Sequence, residues 1–332
     1  MSTKLSTINI SRRGFVGAGL GVLALAGLAA CGSSNNGSDG TASTAAASTA
    51  ASTEDTSVKI DADAYDKLVA AGATADDAAI SGNAWAKKVK DAGTLRVGGT
   101  RTSTLFSLLN EQDNKVRGFD AGLYQLLTRY ILGDESKLDL TQVTSDTRES
   151  VLQNDQVDIV FATYSITDDR KKVISFAGPY YTSQQQILVP ASNTDINSTD
   201  DLNGKNVAAQ SGSTGPQIVA EVAPQATVQE FSTDEEARAA LDQGRVDAYV
   251  IDVNLQLGSM VKNPGKYRLA GDPFGPKDEY GIGLPLDSDG VAFVNDWLKK
   301  IEDDGTWAKL WKIAIGDRTG VETVPEPPAI GA

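Results

Sequence analysis

The amino-acid sequence predicts an α/β protein of two similar lobes, each around a largely parallel sheet. Strand-like and helix-like stretches alternate from residue 94 onward. One helix-turn-strand pattern occurs twice. The 332 residues suffice for two medium domains once the ends are discounted.

The elements follow in order. Residues 94–98 read as a short strand through Leu95 and Val97. Residues 118–133 read as a helix, with Leu123, Leu126, Leu127, Tyr130 and Ile131 on one stripe. Strands are expected at 138–143, 158–164 and 187–189, and the same pattern returns at 206–210 and 248–252. Ser232-Thr-Asp-Glu235 before Ala237, Ala240 and Leu241 reads as a capping box opening a helix, and Gly244 closes it. The repeat is in the approach to two of these strands. Leu152 to Asp158 and Leu241 to Asp247 share the same Leu-to-Asp spacing with a Val before the Asp. Two lobes facing each other enclose a cleft, the default place for a ligand.

The N-terminus reads as an address. Arg12 and Arg13 form a basic region, and 15–30 is apolar, small and too short for a comfortable membrane span. Leu28-Ala29-Ala30-Cys31 resembles a lipobox, so 1–30 is expected to be a lipoprotein signal peptide and Cys31 the lipidated first residue of the mature chain. Ser11-Arg12-Arg13-Gly14-Phe15-Val16 also fits a twin-arginine export motif, and an ordinary basic region remains the alternative. Residues 31–57 are Ser, Ala, Thr, Gly and Asn, a composition that predicts a flexible tether. At 58–92, Tyr65, Leu68 and Val69, then Trp85 and Val89, have helical spacing and predict a short helical extension. The proline-rich tail at 321–332 is expected to be disordered.

Composition narrows the chemistry. Lys4, Arg12 and Arg13 are the only charges in the first thirty residues, so without them 44 acids face 27 bases. Such a surface is a poor match for nucleic acid, which needs clustered Lys and Arg. The sequence holds no His, the commonest general base and metal ligand, and its one Cys allows no intramolecular disulfide. These features weigh against a catalytic triad, a zinc site or a redox enzyme, and no metal or cofactor is expected.

The order of motifs then carries a resemblance. It runs from Thr94-Leu-Arg-Val-Gly-Gly through Arg117-Gly118-Phe119-Asp120 to Val157-Asp158, with Ser165-Ile-Thr-Asp-Asp-Arg170 and Phe176-Ala-Gly-Pro-Tyr180-Tyr181 after it. It continues with Asp200-Asp-Leu-Asn-Gly204-Lys205, Gln210-Ser-Gly212-Ser-Thr214 and Tyr280-Gly-Ile-Gly, and ends at Asp304-Gly305-Thr306-Trp307. Over about 93–316 the chain closely resembles the family 3 solute-binding proteins, the polar amino acid receptors of ABC importers. The resemblance implies a type II periplasmic-binding-protein (Venus-flytrap) fold with one lobe discontinuous. The first lobe would be 93–187 plus 280–316 and the second 191–272, with crossings near 188–190 and 275–281. It implies a non-enzymatic, monomeric receptor on the extracytoplasmic face of the cell membrane. Its partners would be a small amino acid ligand, permease subunits and a lipid anchor through Cys31.

The resemblance also assigns residues. Arg170 matches the arginine that holds the ligand's α-carboxylate, a role suited to a planar guanidinium fork. Asp252, at a strand end, matches the acid that pairs with the α-ammonium. Thr163 and Ser165 match positions that meet the amine and carboxylate, and Gly212-Ser213-Thr214 would present amides at a helix start. The loop after the first strand reads Gly99-Thr100-Arg101-Thr102-Ser103-Thr104-Leu105-Phe106, with an arginine, no acid, and Phe106 matching the family's later phenylalanine. Arg101 and Arg148 match places where the family's glutamate/aspartate receptors grip a side-chain carboxylate. The expected ligand is therefore glutamate or aspartate. Glutamine, asparagine or another polar amino acid is the alternative, as are a ligand sensor with a membrane signalling partner and, more remotely, a dehydratase-type enzyme on the same fold.

Overall fold

A computed structural model describes residues 59–331. The expected signal peptide (1–30), Cys31 and the tether (31–57) lie outside these residues. Three helices come first: α1 (Ala62–Ala70), α2 (Asp77–Ser81) and α3 (Ala84–Ala92). The first half of the main body then runs β1 (Leu95–Gly99), β2 (Thr102–Ser103), β3 (Ser107–Asn110), β4 (Lys115–Arg117), α4 (Phe119–Leu132), β5 (Leu138–Gln142), α5 (Arg148–Gln153), β6 (Ile159–Ser165) and α6 (Asp168–Lys171). A long strand β7 (Ser175–Pro190) leads to β8 (Asn206–Gln210), α7 (Gly215–Val222), β9 (Thr227–Phe231), α8 (Asp234–Asp242), β10 (Ala248–Asp252) and α9 (Val253–Lys262). A second long strand, β11 (Tyr267–Leu284), returns to α10 (Gly290–Asp303), α11 (Thr306–Trp311) and α12 (Asp317–Thr319).

The larger sheet has the order β5-β1-β6-β11-β7-β10-β8-β9. Its two ends are parallel: β1 with β5 and β6, and β8 with β9 and β10. The middle is antiparallel, where β11 and β7 pair with each other and with the neighbouring halves. Each half carries apolar side chains on both faces. Val97, Phe161 and Leu127 form one cluster in the first half, with Val151, Val160 and Tyr164 on the other side. Val207, Val219 and Val250 form one cluster in the second half, with Leu188, Leu241 and Tyr249 opposite. Strands buried on two faces need a near-continuous apolar run, which is how β6 and β10 read. The architecture is the two-lobed α/β fold that the sequence predicts.

Three expectations need correction. The strand expected at 187–189 is a fragment of β7, which already pairs with β10 at Gln185, so the crossing falls near 182–184 rather than 188–190. The polar run Thr182-Ser-Gln-Gln-Gln186 hides the rest of that strand from any hydrophobic pattern. The capping box is one residue further on. Thr233 and Glu236 make the reciprocal bonds, because Ser232 and Thr233 both satisfy the spacing. The tail is ordered along the first lobe: Val321, Val324 and Ile330 pack on its core, and the Gly331 amide donates to the Gly178 carbonyl at 2.8 Å.

The extension is tied to the first lobe as well. Tyr65 donates from its hydroxyl to the Gly118 carbonyl at 3.1 Å, and Asp66 takes both Nε and Nη2 of Arg117 at 2.8 and 2.9 Å. Asp289, ahead of α10, accepts from the amides of Ala84 and Trp85 at the start of α3. No helix of the described residues is long and apolar enough to cross a membrane.

Candidate functional site

The lobes meet where β6, β10 and the two long strands end or cross. Ser211 donates from Oγ to Asp146 Oδ1 at 2.9 Å, and Arg170 donates from Nη2 to the Gly212 carbonyl at 2.8 Å. Gly212 has φ +69°, and a Cβ there would lie 2.5 Å from Asp146 Oδ1 and 2.9 Å from its amide nitrogen. Any larger residue would hold the lobes apart at this point. A narrow cleft of about 60 Å³ remains, lined by Thr100, Ser103, Thr144, Thr163, Thr233 and Leu255 among others.

Two arginines occupy the first-lobe side. Arg170, on α6 behind the Thr167 N-cap, is 8% exposed. It donates from Nη1 to the Ser165 carbonyl at 2.7 Å, and its Nε lies 3.4 Å from Glu149 Oε1. Asp168 and Asp169 make no ion pair with it. Arg148, at the start of α5, is 3% exposed and donates from Nη1 to the Ala162 carbonyl at 3.0 Å. Its Nε has no hydrogen-bond partner. Both guanidinium groups lie over the Tyr164 ring, Arg148 at 4.1 Å and Arg170 at 5.3 Å from the centroid. Burial, then the neighbouring Arg170 charge, lowers Arg148 to about 10, which still leaves it a cation at neutral pH.

Carboxyl and carboxamide groups occupy the crossing strands. Asp252, 6% exposed at the end of β10, accepts from Gln185 Nε2 at 2.6 Å and from the Tyr280 hydroxyl at 2.7 Å. Burial, then the charge of Asp278, holds its carboxyl well above the usual carboxylate range. Thr214, capping α7, donates from Oγ1 to Asp278 Oδ2 at 3.2 Å. Ser213 instead donates to the Gln210 carbonyl at 2.6 Å and accepts from the Gly215 amide, so it shapes the turn.

The structure therefore groups Arg170, Arg148 and Ser165 around Tyr164 and joins Asp252 to Thr214 through Gln185, while of the expected residues Thr163 lines the small cleft itself. It does not bring Arg101 or Phe106 to the cleft. Arg101 turns outward and donates from Nη2 to the Leu140 carbonyl at 2.8 Å on the outer edge of the first lobe. A larger cavity of about 460 Å³ lies there, bordered by Arg101, Lys115, Tyr124 and Asp139. Two of its charged groups, Asp66 and Lys115, already pair with each other. Phe106 is fully buried in the lobe core, edge-on to Tyr181 at 5.5 Å and to Tyr280 at 6.2 Å between centroids. Its ring supports Tyr280 from behind and offers no stacking face.

Sequence reasoning missed Gln185, Tyr280, Asp278 and Asp120. Asp120 is the last residue of the Gly118-Phe119-Asp120 motif. Its carboxyl accepts from the Thr163 amide at 2.9 Å and the Tyr180 hydroxyl at 2.7 Å, which holds Thr163 at φ +42° beside the cleft. The motif was visible, but a buried acid bonded to a backbone amide leaves no mark in the spacing.

The comparisons agree with this geometry. Residues 95–316 match the model of the bacterial extracellular solute-binding proteins, family 3. The chain belongs to this family. The glutamine-binding protein of Geobacillus stearothermophilus is 40% identical over 198 residues, 59% of this chain and 74% of its own length. The glutamate-binding protein GluB of Corynebacterium glutamicum is 32% identical over 220 residues, 63% of this chain and 74% of its own length. The fold of the cysteine-binding protein from Campylobacter jejuni superposes with a TM-score of 0.68 at 22% identity, covering 73% of this chain and 96% of that one. This solute-binding protein thus shares its two-lobed fold with known amino acid receptors.

Proposed function

We propose that this solute-binding protein is a lipid-anchored receptor that captures an acidic amino acid between its lobes and delivers it to an ABC permease. Arg148 carries the reading. It is a buried cation with an unpartnered Nε beside Arg170, and it has no salt-bridge carboxylate among the described residues. A buried charge without a partner is costly, so the site asks for a further anion. Arg170 would take the α-carboxylate, Arg148 the side-chain carboxylate, and Asp252 the α-ammonium. Thr163, Ser165 and Thr214 would close the polar shell, and the work asked of the protein is binding rather than turnover.

Calorimetric titration of the full-length protein with L-glutamate, L-aspartate, L-glutamine and L-arginine tests this. Micromolar or tighter binding of glutamate or aspartate, about −8 kcal/mol or better, supports it. A specific observation favours glutamine as the second reading: the relative at 40% identity is named for glutamine, and Arg101 leaves the cleft. Preference for glutamine would make Arg148 a structural cation. The anchor through Cys31 is read from the sequence, and replacing Cys31 with Ala should release the protein from the membrane fraction. Retention of that variant in membranes would remove the anchor from the proposal.

A further inference from the structure

Asp278 lies on the returning strand β11, two residues before Tyr280, and neither the motifs nor the expected site include it. It is 7% exposed, and its charge acts on the Asp252 carboxyl. The two acids are joined by their neighbours too. Gln185 Nε2 donates to Asp252 Oδ1 at 2.6 Å and to Thr214 Oγ1 at 3.2 Å, and that hydroxyl donates on to Asp278 Oδ2. Burial, then the neighbouring charge of Asp278, raises the Asp252 carboxyl well above the usual carboxylate range, so Asp252 favours its protonated form until a cation arrives.

A second observation points to what belongs there. Gln185 is 1% exposed, its carboxamide sits between Asp252 and Thr214, and its Oε1 has no donor. A buried acceptor left unpaired costs free energy until a donor arrives. An ammonium group carries three N–H donors and no acceptor. Asp252, Asp278 and Gln185 Oε1 supply three acceptors on three converging segments.

We propose that Asp278 is a second recognition residue for the ligand's ammonium group, which on binding displaces a proton from Asp252. This rests on the receptor reading above and deepens it. The ligand keeps its own protons. Asp252 gives its proton to solvent, and its carboxylate then faces the ammonium beside Asp278. The charged and titratable groups around Asp252 are Asp278 and Tyr280 from β11, Tyr249 from β10 and Arg148 from α5. Burial keeps both tyrosines protonated far above neutral pH, so they neither gain nor lose a proton on binding.

The experiment is a calorimetric titration of the full-length protein near neutral pH with L-glutamate and L-glutamine, in phosphate and in Tris. The ionisation enthalpies of these buffers differ, so the apparent binding enthalpy counts protons. Wild type is expected to release up to one proton per ligand and to bind up to about tenfold tighter for each unit that pH rises below the titration of Asp252. Asp278→Asn is expected to lose most of that release and to flatten the pH profile, with its fold checked by circular dichroism. Equal enthalpies in the two buffers for wild type, or undiminished release in folded Asp278→Asn, would overturn the proposal and leave the receptor reading standing. Binding of neither amino acid by folded wild type would overturn both. The wild-type buffer comparison decides the question even where the variant does not fold.

Discussion

On the first lobe, Arg148 and Arg170 are held mostly by neutral groups, the carbonyls of Ala162 and Ser165 and the ring of Tyr164, with Glu149 as the one acid paired to Arg170. On the crossing strands, Asp252 and Asp278 are fixed by Gln185, Thr214 and Tyr280, drawn from segments that connect or close the lobes. The cation side is thus a rigid feature of one lobe, and the anion side is assembled across the hinge. The difference teaches how a zwitterion can favour closure. On the proposed reading, its carboxylate would find the fork on one lobe and its ammonium would be matched at the crossing strands, so binding energy would be spent on the closed arrangement. Arg170 is the bridge between the two sides, since its Nη2 also reaches the Gly212 carbonyl of the second lobe.

Removing that bridge should produce the largest effect. Arg170→Ala would leave a ligand carboxylate unpaired in a closed cleft, a loss of about 2–5 kcal/mol of binding. Arg170→Lys keeps a charge but not the planar fork, and it should also weaken binding by tenfold or more, on the order of 1.4 kcal/mol. Calorimetry on both variants checks this. Binding by Arg170→Ala within about threefold of wild type, under 1 kcal/mol, would reduce Arg170 to a brace for Ser165 and Gly212.

A smaller and more selective effect is expected at Arg148. Arg148→Met keeps the contact with Tyr164 and removes the cation. Glutamate binding should fall by about 1–3 kcal/mol while glutamine binding changes little. Arg101→Ala should alter neither, because its guanidinium lies on the outer edge against Leu140. Equal losses for glutamate and glutamine in Arg148→Met would sink the side-chain role. Any selective loss in Arg101→Ala would show that the loop swings into the cleft on binding.

These contrasts also mark how far the sequence was legible. The limits of α4 were readable, because Gly118 and Gly133 bracket a clear apolar stripe. So were β8 and β10, whose bounds match the apolar pattern. That Arg170, Asp252 and Thr214 lie near the crossing strands was readable only through the order of motifs, which records a fold. Arg101 was misplaced because a loop's residue types do not say which side of the strand its side chains leave. Asp278, Gln185 and the long crossings were hidden for one reason. Their environment is set by pairing between strands some eighty residues apart, and polar residues at a hinge follow no hydrophobic period. The tail was misjudged from its prolines, although Val321, Val324 and Ile330 bury against the first lobe.

The smallest effect tests the support of the cation side by its own lobe. Asp120 is 1% exposed, and burial pushes its carboxyl up to about 7 despite the bonds from Tyr180 and Thr163. The folded protein therefore holds this proton more tightly than the unfolded chain, whose carboxyl titrates near 4. The stability this contributes is complete below about pH 4 and is lost as pH rises through about 7, at no more than about 1.4 kcal/mol per pH unit. Asp120→Asn cannot titrate, so the fall of melting temperature between pH 5 and pH 7 should be shallower than in wild type. The slope left over belongs to Asp252, Glu235 and Glu302, whose carboxyls burial raises in the same direction. Asn offers one acceptor oxygen where the site presents two donors, so the variant should also be less stable at pH 5, by about 1–3 kcal/mol. Calorimetric melts of both proteins across that range check the assignment, and parallel slopes would take Asp120 out of the titration. Ligand affinity adds a second reading. Thr163 keeps its left-handed backbone through Asp120, so a folded Asp120→Asn that binds as tightly as wild type would show that the cleft does not need that strained residue held from behind.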